Sequence, residues 1–108
     1  MYEPSKTDWK LFREKIPGWQ EAYMEKLLKG YAEYLSTDLP ASMKFWELEK
    51  MLKADRKSPG VLIDMRKSTM IWDIVSLIND KAICFDDLAE FSDELKETVN
   101  FILERQKI

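Results

Sequence analysis

The chain has 108 residues, 45% hydrophobic and 34% charged, with a net charge of −3, a length that suits one domain with a radius of gyration near ~13 Å if compact. It holds no histidine and one cysteine, Cys84, which removes imidazole proton shuttles, imidazole-activated nucleophiles and the usual zinc and non-haem iron sites. Four Trp, five Phe and four Tyr supply core material for a globular domain without disulfides.

The charge total is too small to imply a bulk polyanionic or polycationic partner. Residues 1–60 carry 11 basic and 10 acidic side chains, residues 61–108 carry 6 and 10, so the C-terminal part is acidic. A lone cysteine and an opening Met1-Tyr2-Glu3-Pro4 without the basic and apolar regions of a signal peptide predict a cytoplasmic protein. The most apolar stretch, 70–78, is broken by Asp73 and Ser76, so no membrane span and no membrane partner is expected.

Ser5-Lys6-Thr7-Asp8 has the form of a helix start, with Ser5 as cap and Asp8 reaching back. Trp9, Phe12, Ile16, Trp19, Tyr23, Leu27, Tyr31 and Tyr34 then recur at steps of three and four along one face. Pro17-Gly18 interrupts that face, because Pro17 lacks the N–H owed to Arg13 and costs ~3 kcal/mol inside a helix. The pattern predicts helices over about 6–15 and 18–35, with one kinked helix as the alternative. Ser36 to Pro40 reads as a loop, and Pro40 suits the first turn of a third helix over about 40–56. Its inner face is expected to hold Ala41, Phe45, Leu48 and Leu52, with Trp46 beside them.

Ser58-Pro59-Gly60 ends that element. A fourth helix over about 61–79 is apolar around more than half its circumference, which predicts a central position. Asn79-Asp80-Lys81 breaks it, and Asp86 or Asp87 is expected to cap a last helix over about 86–104 facing inward with Leu88, Phe91, Leu95, Val99 and Ile102. Ser92-Asp93 offers an alternative restart. The sum is an all-α chain, a small antiparallel bundle of four to five helices in a single helical domain spanning 1–108.

Three segments invite chemistry. Asp86-Asp87-x-x-Glu90 and the acids through residue 97 resemble half of a Mg²⁺-binding nucleotide-processing motif, but no matching second motif is present. Around Asp80 to Asp87 an EF-hand register fails, because Lys81 stands where glycine is required. The same stretch resembles a helix-turn-helix, yet Asp86, Asp87 and Glu90 at the recognition end would repel phosphate. Any anion or DNA contact would fall to Lys53, Arg56, Lys57, Arg66 and Lys67 in the 50–67 region. Cys84 beside Phe85 reads as a buried, inert thiol.

The segments 5–16 and 19–25, Lys44-Phe45-Trp46-Glu47-Leu48-Glu49-Lys50, Phe85-Asp86-Asp87-Leu88 and 90–99 together resemble a family of short all-helical proteins from Gram-positive gut anaerobes. The likeness covers most of the chain. That family has no established activity and no assigned site residues, so it implies none here. Some members carry a "multidrug transporter" label, which the missing membrane span argues against taking literally.

The expected function is therefore a non-enzymatic protein-interaction or regulatory module without catalytic residues, cofactor or metal. The partner is a protein, with a homodimer as one form, and nucleic acid is disfavoured. Trp9, Trp19, Tyr23 and Tyr31 are the candidate contact residues, since the aromatic stripe exceeds what a short helix pair needs. The rivals are a DNA-associated accessory protein using 50–67 and a Mg²⁺-dependent enzyme using 86–97.

Overall fold

Thirty residues, Lys6–Leu35, form one uninterrupted helix, α1, in the computed structural model, which describes residues 3–107. α2 (Ala41–Asp55), α3 (Met70–Asn79) and α4 (Asp93–Gln106) follow. Short 3-10 turns at Lys67–Thr69 and Phe85–Leu88 precede α3 and α4. No strand occurs among the described residues. The chain is all-α.

The expected break at Pro17 does not occur. Phe12 and Ile16 before it and Tyr23 and Tyr31 after it are buried on the same side of α1, while Pro17 and Gly18 face solvent. Water can therefore hydrate the carbonyl that Pro17 deprives of a partner, and the continuous apolar face outweighs the local cost.

The expected 61–79 helix is half that length. The 58–60 turn before it closes on itself, with the Val61 and Leu62 N–H groups donating to the Ser58 carbonyl at 2.9 and 3.0 Å, and is tied to distant partners as well. The Ser58 hydroxyl donates to Asp80 at 2.7 Å and accepts from the Gly60 N–H at 3.1 Å, and the Pro59 carbonyl accepts from Gln20 at 2.9 Å. Gly60 lies flat on the Tyr23 ring, where a Cβ would overlap the ring carbons. α3 itself closes with the Ala82 N–H on the Leu77 carbonyl at 2.9 Å and the Lys81 N–H on the Ile78 carbonyl at 3.0 Å. Lys81 takes a φ of 63° to make that cap, a place glycine usually fills.

The last helix starts at the Ser92 alternative rather than at Asp86 or Asp87. Asp87 accepts from the Cys84 N–H at 2.8 Å and closes the 3-10 turn instead. Cys84 is exposed, which corrects the expectation of a buried thiol.

Phe12, Ile16, Met70, Ile71, Ile74, Val75, Leu77, Ile83, Leu88, Phe91, Leu95 and Val99 form the core. It unites the first half of α1 with α3, α4 and the segment between them, and no residue of α2 is buried. The chain is correspondingly long, with extents of 51 × 32 × 21 Å and a radius of gyration of 16.4 Å. A compact chain of this length would have ~13 Å.

A buried carboxylate fastens the two ends of this core. Asp8, 2% exposed, accepts from the Ser92 N–H at 3.0 Å and the Ser92 hydroxyl at 2.6 Å. Ser92 Oγ in turn accepts from the Leu95 N–H at 3.2 Å, and Ser5 Oγ accepts from the Asp8 N–H at 3.1 Å. The caps of α1 and α4 are thus one connected network, and the Asp8 charge sits at the positive end of α4. Asp8→Ala should cost about 2–3 kcal/mol in urea unfolding, because it removes two hydrogen bonds to a charged, buried acceptor. Ser92→Ala should cost about 1 kcal/mol as a lost cap, and the double variant should lose clearly less than the sum. Strict additivity would mean that the two residues act separately.

Candidate functional site

α2 begins after Pro40 without a side-chain cap and ends at Asp55. Its half-buried residues are Lys44, Glu47, Leu48, Met51 and Asp55, spaced by three and four, and they form the side held against the rest of the chain. The expected inner stripe of Ala41, Phe45, Leu48 and Leu52 is rotated off this line by roughly a sixth of a turn. Phe45 and Trp46 are 62% and 63% exposed, Met43 53% and Leu52 48%. The Phe45 and Trp46 rings meet edge to face, with centroids 5.0 Å apart and planes at 84°. Leu35 and Leu39, at the end of α1 and in the connection, continue the open apolar surface.

Polar bonds set where this helix stands. The Tyr31 hydroxyl donates to Asp55 at the end of α2, and Lys44 Nζ donates to the Leu35 carbonyl at 2.9 Å near its start. Burial first, and then the hydrogen bond to Asp55 and its charge, push the Tyr31 phenol up to about 12 from the ordinary 10.0.

The four aromatic contact candidates lie elsewhere, and their surfaces are engaged within the chain. Trp9 is half-buried, its ring 6.0 Å from Phe12 and beneath the Arg13 guanidinium at 5.5 Å. Trp19 bridges Phe12 at 6.3 Å and Phe91 at 6.2 Å. Tyr23 is buried on Gly60, and Tyr31 is buried on the α2 side. A partner could reach Tyr23 or Tyr31 only by opening the fold. Phe45, expected on the inner face of α2 with Trp46 beside it, is instead open to solvent together with Trp46. Adjacent residues on a helix diverge by about 100°, so Phe45 and Trp46 together need a wide covered face, which the half-buried line of α2 does not supply.

The basic candidates gather only in part. Lys53, Arg56 and Lys57 line a shallow depression with Leu62, Ile63 and Asp64. Lys57 and Arg66 line its neighbour, together with Asp64 and Asp73. Lys53 pairs with Glu49 at 3.3 Å and Arg66 with Asp64 at 2.7 Å. Asp73 is raised above the usual carboxylate range, chiefly by burial and further by Asp64, against the Thr69 hydroxyl that bonds it. Lys67 lines neither depression. Acids interleave this patch throughout, which weakens its field for phosphate.

The acidic run is also dispersed. Asp87 serves the Cys84 N–H, Glu90 pairs with Lys15 at 3.1 Å and Asp93 with Lys96 at 3.4 Å. Among the described residues, no three acidic or thiol side chains converge as a metal ion would need. No helix is long and apolar enough to cross a membrane among the described residues.

Compared with known proteins, the chain matches no family model, no curated protein and no solved structure significantly.

Tyr31 makes the attachment of α2 sensitive to alkali. A folded-state pKa raised above the unfolded one means its contribution is complete below pH 10 and disappears as pH climbs through about 12. Urea midpoints measured from pH 9 to 12 should fall more steeply for the natural chain than for Tyr31→Phe. Parallel curves would show that the phenol does not hold α2.

Proposed function

We propose that this chain is a non-enzymatic interaction module whose α2 side chains Phe45, Trp46 and Leu52 dock on a protein partner, and that the partner is a second copy of the chain. One observation carries this reading: α2 is fifteen residues long and buries none of them, yet it holds four large apolar side chains about half open or more. Soluble monomers rarely leave contiguous apolar surface beyond a few hundred Å².

Two features favour a second copy as the occupant. Phe45, Trp46 and Leu52, with Leu35 and Leu39 beside α2, leave an area on the order of 500 Å² open, a large part of the about 800 Å² per partner of a standard interface. The charges around them are mixed, Lys44, Lys50 and Lys53 against Glu47 and Glu49, which complements an identical surface better than a strongly acidic or basic one. An antiparallel bundle working in the cytoplasm belongs to the same proposal. The short 36–40 connection and the lone cysteine support it. The DNA-accessory and Mg²⁺-enzyme readings draw less support, because their charges are interleaved or individually paired.

Light scattering behind a sizing column, over a hundredfold range of concentration, should show a monomer–dimer equilibrium. Phe45→Ser with Trp46→Ser should yield a monomer with unchanged circular dichroism, since neither side chain belongs to the core. A natural chain that is monomeric throughout, or a dimer indifferent to both substitutions, would contradict the proposal.

A further inference from the structure

Between α3 and α4 lies an open groove of about 710 Å³, within the range of roughly 300–1,000 Å³ common for small-molecule sites. Ile71 and Ile102 form its apolar base, and Trp72 and Phe101, 49% and 61% exposed, stand on the two helices beside them. The α2 side chains project from a helix lacking burial, which suits a protein surface; this hollow suits a small ligand.

The groove has a chemical direction. At one end the Arg105 guanidinium stacks 5.5 Å above the Phe101 ring and has no carboxylate partner among the described residues. Stacking occupies one face of the guanidinium and leaves its N–H edge free to donate. Gln106 beside it accepts from Asn79 at 2.9 Å through Oε1, so its remaining groups are N–H donors. Glu97 lines the groove two turns earlier on α4, about 12 Å away along the axis. Donors thus gather at one end, apolar side chains fill the middle, and a carboxylate at the other end repels an anion.

We propose that this groove binds a small amphipathic anion, an unbranched apolar chain ending in one carboxylate. The carboxylate takes the Arg105 and Gln106 donors, and the tail runs over Ile71, Trp72 and Ile102 toward Glu97. A bidentate guanidinium–carboxylate contact supplies orientation, and burial of the tail supplies most of the affinity. The site is separate from α2, so it stands or falls independently of self-association.

The test is calorimetry on the full chain with decanoate, decylammonium and decanol, all below their aggregation thresholds. Decanoate should bind saturably at one site and at least tenfold more tightly than the other two. Arg105→Gln should remove that preference, and Trp72→Ala should weaken all three; both positions are exposed, so circular dichroism should not change. Amide shifts in NMR should cluster on α3 and α4. Equal or better binding of decylammonium, an indifferent Arg105→Gln, uptake that never saturates, or shifts centred on α2 would each overturn the proposal.

Discussion

A thirty-residue helix is about 45 Å long, whereas α3 and α4 reach about 15 and 21 Å. Two such short helices can cover only part of α1, and every other feature of the fold responds to that mismatch. The covered half, from Asp8 to Trp19, carries the core contacts and the aromatic chain from Trp9 through Phe12 and Trp19 to Phe91. The remaining half must find other cover. It receives the 58–60 turn at Gln20 and Tyr23, and then α2 at Tyr31. That cover is thin, so α2 keeps its largest apolar side chains in solvent.

Polar contacts hold this shape where apolar contact is scarce. In the covered half, Asp8 and Ser92 fix how the starts of α1 and α4 meet across 84 residues of sequence. In the uncovered half, single hydrogen bonds do comparable work: Gln20 to Pro59, Ser58 to Asp80, Tyr31 to Asp55. Such bonds fix direction well, but each adds only about 1 kcal/mol net, or somewhat more with a charged partner. The region of α2 is therefore oriented and weakly stabilised, a condition that suits a surface completed by a partner.

Much of the core was legible in the residue pattern because steps of three and four identify a buried face wherever the helix is covered. Phe12, Ile16, Ile74, Leu95 and Val99 lie on helices where that pattern places them, and Leu88 and Phe91 are buried as expected but in the turn and segment before α4. The cap at Ser5 was equally readable, because its partner is three residues away. What failed was long-range. Pro17 is tolerated because of which side of α1 is dry, and the turn before the non-helical 62–66 segment is held by Gln20 and Asp80, partners 39 and 22 residues away. Phe45 and Leu52 have the spacing of an inner stripe but lack a surface to pack against. No local pattern encodes a missing neighbour. Much of the aromatic stripe of α1 packs on the core and on a glycine turn, cover that is equally long-range.

The claim at the centre of this account is that α2 lies outside the core and is completed only by another molecule. Amide hydrogen exchange measured along the chain at two protein concentrations tests it most directly. The account predicts that core amides of α3 and α4 are strongly protected at both concentrations, whereas α2 amides exchange fast when dilute and gain protection when concentrated. Protection of α2 equal to that of α3 in the dilute sample, or unchanged by concentration, would contradict it.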